Sequence, residues 1–171
     1  ASDLTATFIA RCLSAKKMCL WGMTAGVTTA DPDIVSDAKL IPKLSYSEAA
    51  EIAYFGGKII HSEAIIPASQ GRISILVMSI NSPNSPGTII DENGDDNTQI
   101  PIKAVTAIRG LSLITLQGKG MIGVPGIAGK LFSATASRKI NVILISQASS
   151  EQNITFIVKN EQEKNTIKII K

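Results

Sequence analysis

The chain has 171 residues, a net charge of +3 and 44% apolar residues, with a mean hydropathy of +0.22. That is enough for one medium domain or two small ones with a packed core. Aromatic residues make up only 4% and the cations are scattered, which argues against a nucleic-acid surface. No stretch approaches the roughly 20 apolar residues of a membrane span, and no basic-then-apolar leader opens the chain.

Ser2 and Asp3 are good N-cap types, and Leu4, Phe8, Ile9, Cys12 and Leu13 have helical spacing, which predicts a first helix over 4–14. The chain opens with Ala1 already at the edge of this helix, which suggests that more sequence precedes it. Lys17 to Trp21 reads as a buried strand, and Gly22 to Pro32 as a loop punctuated by Gly26 and Asp31-Pro32. Ser45 and Glu48 form a capping-box pattern that starts a second helix, ending near Gly56-Gly57. A short helix is expected over His61 to Pro67, then strands over Ile73 to Ser79 and Thr88 to Ile90.

From Asn81 onward the composition shifts to Asn, Ser and Pro, and 91–97 (DENGDDN) is acidic. The domain boundary is placed here, giving 1–90, a linker over 91–100, and a second domain over 101–171. Asp91, Glu92, Asp95 and Asp96 lack the spacing of a calcium loop and read as linker. Strands are expected over Ile102 to Ile108 and Leu111 to Gln117. A glycine-rich loop follows over Gly118 to Gly126, then a helix over Ile127 to Lys139 with Ile127, Leu131 and Ala134 or Thr135 on one face. Val142 to Ser146 and Ile154 to Val158 read as strands and Glu161 to Lys171 as a helix. Lys159, Lys164, Lys168 and Lys171 alternate there with Glu161 and Glu163 as a solvated, i,i+4-paired face. From 111 onward the order is β-α-β-β-α, the ferredoxin-like pattern without its final strand, which leaves an open edge beside 111–117 and predicts a dimer or larger assembly.

Cys12 and Cys19, beside the single His61, make no zinc site and read as reduced, buried thiols of a cytosolic type of protein. His61 reads as a helix-terminal or partly buried histidine, since no acid or nucleophile pattern accompanies it. No catalytic residue and no metal ligand is assigned.

The segments 118–134 (GKGMIGVPGIAGKLFSA) and 140–158 (INVILISQASSEQNITFIV) resemble the first ACT domain of aspartate kinases, most closely that of the bifunctional aspartate kinase–homoserine dehydrogenases. The segments 2–7 (SDLTAT), 29–61 and 86–90 (PGTII) resemble the end of the amino-acid-kinase domain of the same enzymes. The resemblance implies an α/β fold: the end of a kinase domain, then an incomplete ACT domain. It implies a parent enzyme that makes 4-phospho-L-aspartate from ATP, with magnesium, and L-aspartate. It also implies ACT-mediated homo-oligomers, feedback by an amino acid, and a cytoplasmic site, or a plastid one in a plant.

The same resemblance places Ser2, Asp3 and Lys58 near the nucleotide. It also marks departures. The family's W-T-D-V-D-G stretch is Trp21-Gly22-Met23-Thr24-Ala25-Gly26 here, with both acids gone. Asp33 and Glu63 stand where the family has arginines, which sets like charge near a triphosphate. Met78-Ser79 replaces a Lys-Asn pair, and the phosphate loop lies in the part of the family preceding these residues. These 171 residues alone are therefore expected to lack kinase activity and to need no cofactor.

Effector binding is expected at the glycine loop and the helix after it. Gly118, Gly120, Gly123 and Gly126 let backbone N–H groups approach an anion, and Pro125 suits the approach to the first helical turn. Met121, Gly123, Val124, Pro125, Gly126 and Ile127 would form one side of the site. The resemblance adds Asn141 and Val142, from a neighbouring copy, and Gln147, which matches a glutamine linked to threonine sensing. Two readings of these residues stay open: an effector site for threonine or lysine, or a plain turn, with Asn141 ending it, Gln147 satisfying local backbone, and Ser149 and Ser150 a solvated strand end. The chain is then either a segment of a feedback-regulated aspartate kinase or a catalytically dead amino-acid-binding module.

Overall fold

The computed structural model describes residues 2–57, 60–95, 102–147 and 152–170. They form two compact units that divide between Ala107 and Ile108. The division therefore falls after the expected linker of 91–100, and 102–107 runs with the first unit.

In the first unit, α1 (Ser2–Cys12) leads into β1 (Lys17–Gly22), then β2 (Lys43–Ser45), α2 (Tyr46–Tyr54), α3 (Ser62–Gly71), β3 (Ser74–Ser79) and β4 (Thr88–Asp91). The sheet order is β1-β3-β4-β2. β1 runs parallel to β3, and β4 runs antiparallel to β3 and parallel to β2. Leu44, Ile73, Ile75, Ile90 and Val27 are essentially sealed from solvent and define this core. Each such side chain contributes about 1.5–3 kcal/mol of transfer free energy.

The capping box at α2 is formed as expected. The Ser45 hydroxyl accepts the Glu48 N–H at 3.2 Å, and Glu48 Oε2 accepts the Ser45 N–H at 2.8 Å. β2, just before it, went unread because three residues carry too little alternation to show. α3 runs through Pro67 to Gly71, past the expected stop. Pro67 forfeits one backbone bond, but it is buried with Ala64, Ile65 and Ala68, and that packing outweighs the loss. α1 ends at Cys12, with Ser14 in the left-handed region at φ +51°.

Three expectations fail. Ile102 to Ile108 is not a strand. Its backbone is spent elsewhere, as Val105 N–H donates to Thr29 O at 2.9 Å. Cys12 and Cys19 are exposed, not buried. Along β1 it is Met18 that points into the core, so Cys19 takes the opposite face. Among the described residues of the C-terminal helix no Lys–Glu ion pair closes; Glu163 instead accepts the Ser112 hydroxyl at 2.7 Å.

The second unit has β5 (Leu111–Gln117), α4 (Ile127–Ser137), β6 (Leu144–Gln147), β7 (Asn153–Lys159) and α5 (Glu163–Ile170). The sheet is antiparallel, in the order β5-β7-β6. This is the expected β-α-β-β-α order. β7 is central and alternates, so Ile154, Phe156 and Val158 are buried. Leu131 and Thr135 of α4 and Thr166 of α5 are buried as well, and Phe132 meets Phe156 edge to face at 6.2 Å. β5 and β6 are both edge strands, and all four β6 residues are exposed. Among the described residues no helix is long and apolar enough to cross a membrane.

Candidate functional site

In the second unit a cavity of about 300 Å³ lies between the glycine loop, the start of α4 and the sheet. It is lined by Met121, Gly123, Val124, Pro125, Gly126, Ile127, Ala128, Gln147 and Ile154. The loop reaches this shape through its own backbone. Gly118 N–H donates to Gln152 O at 3.1 Å, Met121 N–H to Gly118 O at 3.1 Å, and Val124 N–H to Met121 O at 3.2 Å. The chain then turns through Gly123 at φ +67° and Gly126 at φ +85°. An added Cβ at either glycine would meet open space, so the demand for glycine there comes from the backbone angle.

Gly126 caps α4, and its carbonyl accepts the Lys130 N–H at 2.9 Å as the first helical bond. The first N–H groups of α4 have no acceptor within the helix and carry its positive dipole end. The cavity wall is apolar apart from the Gln147 side chain and the backbone. Among its described lining residues there is no charged side chain.

Seven of the nine expected effector residues thus share one cavity. Asn141 and Val142 do not line it; they lie in the connection before β6. Ala128 and Ile154 were missed. Period-two alternation in β7 places Ile154 on the buried face with Phe156, which was a usable signal. Ser149 and Ser150 lie outside the described residues.

The first unit has its own pocket, of about 130 Å³. It is assembled from three stretches: 24–34, Ile52 with Gly56 and Gly57, and 105–107. Thr24, Thr28 and Thr106 line it along with Asp31 and Asp33, and no Lys, Arg or His is among its described lining residues. Its floor is tied by the buried Thr88 hydroxyl, which accepts the Val27 N–H at 2.8 Å and donates to Ile41 O at 2.6 Å. Gly26 presses against it; a Cβ there would fall 2.6 Å from that hydroxyl oxygen.

Of the three residues expected near a nucleotide, only Ser2 and Asp3 are among those described, and neither lines this pocket. Asp3 accepts the His61 N–H at 3.1 Å and so ties α1 to the start of α3. Lys58 and Asp96 lie outside the described residues. His61 is exposed at the N-cap of α3, a helix-terminal position.

Titratable groups gather at the start of α2. Glu48 pairs with Lys103 at 2.7 Å, and Asp91 with Lys43 at 3.2 Å. Burial works against ionisation of Glu48, but bonds from Lys103 and Ser45 outweigh it and hold its carboxyl below the ordinary value. Asp91 behaves alike: burial is outweighed by bonds from Gly94 N–H, Lys43 and Asn93 N–H. Burial, reinforced by Asp91 and Glu92, raises the Tyr46 phenol.

These features define an α/β portion with a mixed sheet followed by a ferredoxin-like β-α-β-β-α unit. Residues 1–79 match the amino acid kinase family, and residues 114–171 match an ACT domain family. The bifunctional aspartokinase/homoserine dehydrogenase of Haemophilus influenzae is 41% identical over 157 residues, which is 92% of this chain and 19% of that protein. A chloroplastic bifunctional aspartokinase/homoserine dehydrogenase of Zea mays is 39% identical over 94% of this chain and 18% of its own length. Among solved structures, Escherichia coli aspartokinase III in complex with aspartate and ADP superposes with a TM-score of 0.80 at 30% identity, covering 92% of this chain and 34% of that one. The same enzyme in complex with lysine and aspartate gives 0.67. The chain matches aspartokinases over nearly its whole length, with an amino-acid-kinase portion and an ACT domain, and it spans about a fifth of the length of the curated relatives it matches.

Proposed function

We propose that the second unit senses a free amino acid and that its parent enzyme is an aspartokinase under feedback control. The observation that carries this reading is the cavity that collects the glycine loop, the N-terminus of α4 and the Gln147 amide. An α-carboxylate suits the N–H groups and dipole at the start of α4. The Gln147 amide both donates and accepts, which suits a hydroxyl or an ammonium. A wall uncharged among its described residues favours threonine, with lysine as the competing effector. Lysine and aspartate are ligands of the E. coli relative, which supports an amino-acid ligand in this family.

The parent reaction is phosphoryl transfer from ATP with magnesium to L-aspartate, in the cytoplasm or in a plant plastid. The E. coli relative holds aspartate and ADP. These residues alone are proposed to be silent as a kinase. The first unit's pocket presents Asp31 and Asp33 and no described cation, whereas phosphoryl transfer is driven by cations at the transferring group. The open edges at β5 and β6 favour assembly of copies through the second unit, and Asn141 and Val142, outside the cavity of their own copy, are proposed to meet an effector held by a neighbour.

Calorimetric titration with L-threonine, L-lysine and ATP tests the reading. Threonine heat with ATP silent is the expected result. ATP binding would refute the silent-kinase part, and silence toward both amino acids would refute the sensor. Gel filtration showing a monomer at every concentration would refute the assembly.

A further inference from the structure

The pocket of the first unit has one wall that comes from far along the chain. Val105, Thr106 and Ala107 face a pocket otherwise built from 24–34 and the end of α2. The segment 102–107 belongs to no strand, yet three anchors fix it. Lys103 Nζ pairs with Glu48 Oε1 at 2.7 Å and donates to Asp95 O at 2.6 Å. Ala104 packs against the buried core. Val105 N–H donates to Thr29 O at 2.9 Å.

None of these anchors is strong. The Lys103 and Glu48 side chains keep 24% and 35% of their exposure, so solvent screens the pair. Ile102 and Val105 leave their apolar side chains 70% and 65% exposed, so little burial holds them down. By contrast β3 is paired on both sides and alternates into the core. A segment of this kind opens locally at a small fraction of the cost of the sheet beneath it.

We propose that 102–107 is a strap that closes the first unit's pocket, with the Lys103–Glu48 pair as its clasp. Docked, it supplies a wall; released, it leaves an open cleft. Glu48 couples the clasp to the pocket, because one oxygen holds Lys103 while the other caps α2, the helix that brings Ile52 to the pocket. A ligand that touches Val105 to Ala107 binds only the docked form and, by linkage, holds the strap down. The strap is also the covalent route to the second unit, which begins at Ile108. This inference stands whether or not the second unit binds an amino acid.

Thiol labelling tests it on the full chain. Cys12 and Cys19 are exposed and are first replaced, as Cys12→Ser and Cys19→Ser, and Ala30→Cys is placed in the pocket lining. Adding Lys103→Ala should speed reaction of a bulky maleimide at position 30 by roughly two- to fivefold, the scale of losing one solvent-screened ion pair. Lys103→Arg should keep the slow rate, and hydrogen exchange at the Val105 amide should rise in Lys103→Ala alone. Unchanged exchange across β3 shows that the variants stay folded. Faster exchange at Val105 with no faster labelling would overturn the strap as a cover. If Lys103→Ala changes neither, Val105→Pro removes the remaining backbone anchor, and unaltered labelling there too would overturn the proposal.

Discussion

The two cavities differ in how they are made. The one in the second unit is nearly local: seven of its nine lining residues fall between 121 and 128. The one in the first unit draws on three stretches separated by up to about eighty positions. Among the described residues the local cavity is uncharged, and the dispersed one presents two carboxylates. The contrast teaches that a loop written by glycine spacing can be recognised before folding, whereas a pocket closed by distant backbone bonds cannot.

The sharpest way to probe the contrast is to empty one core at a time. Phe156→Ala should cost about 3–5 kcal/mol in the second unit, since the ring is wholly buried. Leu44→Ala should cost about 2–5 kcal/mol in the first. Urea unfolding, read together with exchange protection of β7 and of β3, checks both. Loss of protection in β3 but not in β7 after Phe156→Ala would overturn the assignment of separate cores.

Smaller effects are expected at the caps and turns. Ser45→Ala should cost about 0.5–2 kcal/mol by removing the hydroxyl half of the capping box. Calorimetric melting should show it, and an unchanged midpoint would mean that tertiary packing alone sets α2. Gly126→Ala should strain the turn at φ +85° by roughly 1–2 kcal/mol and weaken threonine binding with it. Gln147→Ala should weaken threonine by about 0.5–1.5 kcal/mol, one hydrogen bond's worth. Equal threonine affinity in both variants and the parent would sever the cavity from the proposed function.

The mildest probe is pH. Glu48 and Asp91 have folded-state pKa values held below their ordinary ones. Their contribution is therefore present above the unfolded values and is lost as pH falls through the lower folded ones. Acidification should loosen the α2 cap and the contacts of Lys103 and Lys43 together. Exchange rates at Ser45 and Val105 that hold steady through the carboxylate range would count against it.

Much of the fold was legible because its elements have strong local signatures. Ser45 and Glu48 announced a helix start, and the alternation of 154–158 announced a half-buried strand. What stayed hidden was non-local. β2 is three residues long and exists because β4 pairs with it. The 102–108 stretch has good β-propensity but spends its backbone on Thr29 and its lysine on Glu48. Pro67 looked like a stop, and only the burial of that face explains why the helix continues. The exposure of Cys19 turned on which face of β1 meets the core, and Met18 against Cys19 is a contest that alternation alone does not decide.

Thr88 carries a consequence of another kind. Its hydroxyl serves two backbone groups on different segments, one as acceptor and one as donor, in a site with no solvent access. Valine has the same outline and would fit the space. Yet it would strand the Val27 N–H and the Ile41 carbonyl together, at about 1–3 kcal/mol for each orphaned group. Mutational drift that treats the two side chains as interchangeable therefore meets a hidden barrier at this position, one defined by valence and not by volume.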